Sequence, residues 1–165
     1  MQKKRERSRP SYCSSRTAKS LAVLLRTTGA LGLFLLWGCS DSNEPLPPAI
    51  TNCSADHALV GATALLDTHF HSVAGTVTVI DNCTVELTNF TFDGQGLDVR
   101  AVLSESPDFD SYDILSEDLR DDGPYEDAVL SLPLREGMSL DGITDFSIWC
   151  VPAGASFGDG SFALP

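Results

Sequence analysis

Among the 165 residues of this chain, the side chains best equipped for chemistry are five cysteines, at positions 13, 39, 53, 83 and 150. Sulfur can be acylated, joined to a second sulfur, or made to give up an electron, and the choice depends on its exposure and its neighbours. His69 and His71 stand two apart, so on a strand they project from one face, as paired metal ligands do. A pair without a third ligand is weak ground for a metal site, and turn or surface histidines are the ordinary reading. Asp108-Phe-Asp-Ser-Tyr-Asp113 groups three carboxylates, and Asp93-Gly-Gln-Gly-Leu-Asp98 has the spacing of part of a calcium loop. Neither completes that register with its closing bidentate Glu, so a solvated acidic loop is the first reading and calcium the alternative. No phosphate loop or His-Glu-x-x-His run is present. Nothing here assembles a hydrolase.

Charge narrows the partners. The chain carries a net −12, yet eight of its eleven Lys and Arg residues lie at or before Arg26. From Cys39 onward, three basic residues stand against twenty-two acidic ones, giving −19. Such a surface repels phosphate backbones and anionic headgroups, which excludes nucleic acid and electrostatic adhesion to lipid. Membrane attachment then needs another device.

The first forty residues supply one. A basic region precedes the apolar run Ala30-Leu-Gly-Leu-Phe-Leu-Leu-Trp37, which ends at Gly38-Cys39. The run is shorter than the roughly 20 residues of a spanning helix, and basic region, apolar region and small residue follow in the order of a secretory signal. Leu36-Trp37-Gly38-Cys39 resembles a bacterial lipobox, although Trp37 stands where a small residue is usual. The resemblance implies a signal peptide over 1–38 and lipid on Cys39. Each buried methylene adds about 0.8 kcal/mol, so several acyl chains make a durable anchor. Ser40 after the cysteine, rather than Asp, leans toward the outer membrane. Residues 39–52 have the Pro-rich, small and polar composition of an extended tether, leaving 53–165 as one domain in the cell envelope.

Cys13 leaves with the signal and Cys39 takes the lipid. Export puts Cys53, Cys83 and Cys150 where disulfides persist, and three cysteines allow one bridge with one thiol over. The sequence does not say which two pair. Position favours Cys53 with Cys83, the first at the domain's entrance and the second beside a turn, both places where a staple ties down a loose segment. Cys150 is then unpaired. An unpaired cysteine is most often a small buried hydrophobe, and no Lys or Arg lies near it in sequence to promote the thiolate.

The elements that must position these residues are short strands. Val73, Gly75, Val77 and Val79 alternate with Thr76 and Thr78, and after Asp81-Asn82 the run Thr84-Val-Glu-Leu-Thr-Asn-Phe-Thr-Phe92 alternates again, which predicts a hairpin. Asp98-Val-Arg-Ala-Val-Leu103 follows as a third strand, and three in succession suggest a meander. Residues 104–126 read as a long acidic connection with at most a helical turn at Ser116-Glu-Asp-Leu119. Ala128-Val-Leu-Ser-Leu-Pro-Leu134 is a strand that Pro133 pushes to a sheet edge. In Asp145-Phe-Ser-Ile-Trp-Cys-Val151, Phe146, Ile148 and Cys150 share one side, with Ser147 and Trp149 on the other. Phe157-Gly-Asp-Gly-Ser-Phe-Ala-Leu164 closes the chain, and residues 58–66 fit either a strand or a helical turn. The pattern is that of an all-β sandwich or flattened barrel.

Several of these pieces, in order, resemble one family. They are His71-Ser-Val-Ala-Gly75, Asn89-Phe-Thr-Phe-Asp-Gly-Gln-Gly-Leu-Asp98, Leu130-Ser-Leu-Pro133, Phe146-Ser-Ile-Trp-Cys150 and Phe157-Gly158. Over about the last hundred residues the chain resembles the DM13 domain. The resemblance implies an electron-transfer module, in which the Cys of the Trp-Cys pair acts as a naked thiol or helps hold a prosthetic group such as haem. That role falls here on Cys150 beside Trp149, exchanging electrons with a redox partner protein, and His71 is the first candidate to share a haem. The alternative is a non-catalytic interaction or calcium-binding module of the envelope, recognising its partner through the acidic segment.

Overall fold

The alternation of the sequence is realised as nine strands and no helix in a computed structural model that describes residues 45–165. The signal segment, the lipobox with Cys39, and the start of the tether lie outside the described residues. The strands are β1 (Thr63–Leu65), β2 (Asp67–Thr68), β3 (Ala74–Asp81), β4 (Thr84–Phe92), β5 (Val99–Ser104), β6 (Asp113–Ile114), β7 (Tyr125–Pro133), β8 (Asp145–Cys150) and β9 (Ala155–Ser161). They form two antiparallel sheets, ordered β1-β3-β4-β7 and β2-β9-β8-β5-β6. The two do not close into a barrel, so the sandwich is the form adopted.

Period-two patterning decides which residues meet between the sheets. Val77, Val79, Val85, Leu87, Phe90 and Phe92 from one sheet pack against Val99, Ala101, Leu103, Phe146, Ile148 and Cys150 from the other. All are nearly or fully buried, and each large aliphatic or aromatic side chain removed from water contributes roughly 1.5–3 kcal/mol. Strand β8 is buried along its whole length because its outer face is also covered, by Phe109 packed with Trp149 and Val102 in a smaller cluster.

Two expectations need correction. The first three long strands are not a meander: β3 and β4 form the predicted hairpin, but β5 pairs with β8 and β6 in the opposite sheet. Residues 93–98, with Gly94, Gly96 and Asp98 all at positive φ, turn the chain across the core edge instead of back along β4. The helical turn at 116–119 is likewise absent. Those residues run as a strap beside β5, where the Leu115 and Leu119 amides donate to the Ala101 and Val99 carbonyls. In return Ser116 Oγ and Asp118 Oδ1 accept from the Ala101 and Val99 amides. The acidic connection is therefore tied to the sheet, with Phe109, Leu115 and Leu119 buried beneath it. β7 is an edge strand, as Pro133 indicates, and 58–66 hold a turn at 58–61 followed by β1.

Cys53 and Cys83 are bonded, joining the entering segment to the β3–β4 turn. Ala49 bridges Arg135 nearby, and Ile50 donates to the Leu134 carbonyl, so the tether is fastened where β3 ends and β4 begins. Because Cys53 is exposed and outside the sheets, the bond acts on the unfolded chain by closing a 30-residue separation. Replacing both with Ser is expected to lower the unfolding free energy by about 3–4 kcal/mol in urea titrations, with the β-type circular dichroism unchanged.

Candidate functional site: the buried Cys150 end of the sandwich

Cys150 closes β8 between Val99 of β5 and Ala155 of β9, at the end of the sandwich where β4 also finishes. It is the free cysteine of the described residues and is 3% exposed. Its Sγ–H donates to the Leu97 carbonyl at 3.1 Å. Residues 93–98 thus lie over the sulfur as a lid of backbone.

Several contacts hold that segment down. The Asp93 amide donates to the His71 carbonyl at 3.1 Å, while the His71 imidazole and the Asp93 carboxylate meet at 3.1 Å. The Gln95 amide donates to Asp93 Oδ1 at 2.9 Å, and the Val151 amide donates to the Asp98 carbonyl at 3.0 Å. Arg100 Nε donates to Asp98 Oδ1 at 2.6 Å, and Arg120 Nη1 reaches the Gly96 carbonyl at 3.3 Å. At Gly96, φ is +124°, and a Cβ there would lie 2.8 Å from both the Phe157 ring and the Val99 side chain. Only glycine can bring the backbone this close.

Phe157 is the hub behind the lid. Its ring packs 4.4 Å from the His71 imidazole, 6.1 Å from Phe70 and 6.4 Å from Phe92, measured between centroids. The structure therefore brings His71 and Cys150 to one end of the molecule through Phe157 and 93–98. His71 sits in a turn at φ +57°, not on a strand, and His69 pairs with Asp159 at 3.0 Å instead of sharing a ligand position with His71. Trp149 is carried to the opposite face of β8, its ring 5.3 Å from Phe109 and 5.6 Å from Tyr112. Its Nε1 is buried without a hydrogen-bond partner. Cys150, Trp149 and His71 do not converge on one cavity.

Among the described residues, the carboxylates of Asp108, Asp110 and Asp113 do not gather into a metal-ligand set. The thiol and carboxylate group that does come together is Cys53, Asp81 and Cys83, whose two sulfurs are spent on each other. A cavity of about 310 Å3 lies between β7 and the 115–122 strap, lined by Leu115, Leu119, Tyr125, Leu130, Leu132 and Arg135 among others. None of Cys150, Trp149 or His71 lines it.

These residues do not fit a haem. The sulfur is covered by the 93–98 backbone, and the space above Phe157 will not admit even a methyl at Gly96. The site is built for an enclosed thiol. Leu97, Arg120, Phe157 and Phe109 escaped the reading of the sequence, and only the glycines at 94 and 96 hinted that backbone there approaches something closely.

Asp118 links the strap to this end. Burial pulls its carboxyl up, yet the Arg120 side-chain and backbone hydrogen bonds and the Val99 amide outweigh burial and hold it below its ordinary value. A carboxyl held ionised in the fold contributes stability above its unfolded pKa, and that contribution disappears as pH falls through the lower folded value. Urea titrations at about pH 6 and about pH 3 are expected to show a smaller acid loss for Asp118→Asn than for the native chain.

An antiparallel sandwich built around one unpaired, enclosed sulfur is the class of protein that fold and site define. A family model described as electron transfer DM13 matches residues 65–162, more than half of the chain, and the chain belongs to that family. No curated protein and no solved structure matches it.

The lid makes its own test. In the native chain Cys150 should react with a thiol reagent only on unfolding. Gly96→Ala, strained at positive φ and crowded by Phe157, should lift 93–98 and speed native-state labelling at least about tenfold, as followed by mass spectrometry.

Proposed function

We propose that this chain is an exported, lipid-anchored electron-transfer module that works through Cys150. The observation that carries the reading is the Cys53–Cys83 bond, which leaves one sulfur unpaired, inside a domain whose family is described by electron transfer. Enclosure argues against thiol–disulfide exchange, because no incoming sulfur can line up with Sγ. Transfer of one electron needs no such approach. An external one-electron acceptor takes the electron, the thiol proton passes to water admitted at the lid, and a sulfur-centred radical remains until a donor protein returns an electron. The Leu97 carbonyl orients the S–H but is no base, so release couples to movement of 93–98. Trp149, next in the chain, and half-buried Tyr112 at 5.6 Å from it offer the outer face a route for the electron.

The apolar run before Leu36-Trp37-Gly38-Cys39 supports the anchor, with the outer membrane favoured where the cell has one. Nine residues lie between Cys39 and Ala49, a reach of at most about 35 Å. The fastened end and the Cys150 end lie at opposite ends of β4, whose nine residues span roughly 27 Å.

A second reading, an interaction module, draws on Asp108, Asp110 and Asp113. All three are exposed on a segment that Phe109 pins over Trp149. Stopped-flow reduction of ferricyanide by the mature chain separates the two. Cys150→Ser should fold normally and lose at least about tenfold in rate, whereas an unchanged rate leaves the interaction module standing. Cys39→Ser should leave the membrane fraction; retention there removes the lipid anchor.

A further inference from the structure

The Cys150 end carries apolar surface that the core does not require. Phe70 is 56% exposed and Leu97 is 66% exposed, and both border Phe157, Phe70 by its edge and Leu97 through the adjoining Gly96. The turn beside them, Val151-Pro-Ala-Gly154, exposes Pro152 and Ala153 and is tied to Asp98 through the Val151 amide. Isolated exposed hydrophobes are ordinary on any protein. Here Phe70 and Gly96, the neighbour of Leu97, both lie against the Phe157 ring, and Leu97 itself holds Sγ with its carbonyl.

Charge around this rim selects its partner. Asp93, Asp121 and Asp122 are exposed near it, while Arg100 is spent on Asp98 and Glu117 and Arg120 on Asp118. The domain as a whole carries three basic residues against the acidic excess already noted. An apolar centre inside a negative surround attracts a complementary face, raising the rate of encounter and fixing orientation.

We propose that the Phe70–Leu97 rim is the docking face for a one-electron carrier protein whose own contact face is apolar at its centre and basic at its margin. Naming the partner as an electron carrier rests on the function proposed above; the docking face itself rests on exposure and charge. A carrier seated on Leu97 stands a few covalent bonds and one hydrogen bond from Sγ.

Isotope-labelled mature chain, titrated with oxidised cytochrome c as a basic probe and with an acidic ferredoxin as contrast, tests this by NMR. Amide shifts should cluster at 69–72, 93–98 and 151–154 with the cytochrome and be absent with the ferredoxin. Affinity should fall at least about tenfold from low to physiological ionic strength. Phe70→Asp and Leu97→Asp should each weaken binding at least about tenfold, while Leu65→Asp and Val129→Asp, exposed hydrophobes on β1 and β7, should not. Absent shifts, shifts centred on β1 or β7, or equal losses in the control variants overturn the docking face. Shifts at the rim without reduction of the cytochrome uphold the face and overturn the redox role of Cys150.

Discussion

Because β4 finishes in one sheet and β5 begins in the other, residues 93–98 must carry the chain across the open edge of the core. That constraint shapes the rest. A crossing over an apolar edge exposes backbone polar groups that need partners, and this one finds them in His71, Val151, Arg100 and Arg120. It also finds the Cys150 thiol. The lid over the sulfur is thus the same structure that joins the two sheets, and moving it disturbs both.

Strand β8 gives the sulfur its second constraint. A strand covered on both faces sends Cys150 into the main core and Trp149 into a separate aromatic cluster, one residue apart in sequence and on opposite sides of a sheet. A thiol so placed is shielded from nucleophiles and electrophiles alike. The missing hydrogen bond at Trp149 Nε1 has no evident structural return, since satisfying a buried N–H is ordinarily favourable.

The charge distribution follows the same economy. Of the domain's three arginines, Arg100 is committed to Asp98 and Arg120 to Asp118, while Arg135 donates to the Leu115 carbonyl and keeps a buried Nε without a partner. Two of them hold the lid and the strap that flanks it. The negative charge is correspondingly left outside, where it governs which surfaces approach.

Much of this was legible from residue order. Alternation in 73–80 and 84–92 specified β3, β4 and their hairpin, Pro133 specified an edge, and 145–151 sorted Cys150 and Trp149 onto opposite faces. The family resemblance was also readable, because motifs are local, whereas position favoured the Cys53–Cys83 pair without deciding it. What the sequence could not decide was which sheet β5 would join, that 116–119 would run as a strap rather than a helical turn, and that the two histidines would part. Those outcomes depend on partners far along the chain: Leu97 meets Cys150 across 53 residues, and Arg120 meets Gly96 across 24. Periodicity reports which face of a strand is apolar, but only the packed tertiary structure decides which apolar face it meets.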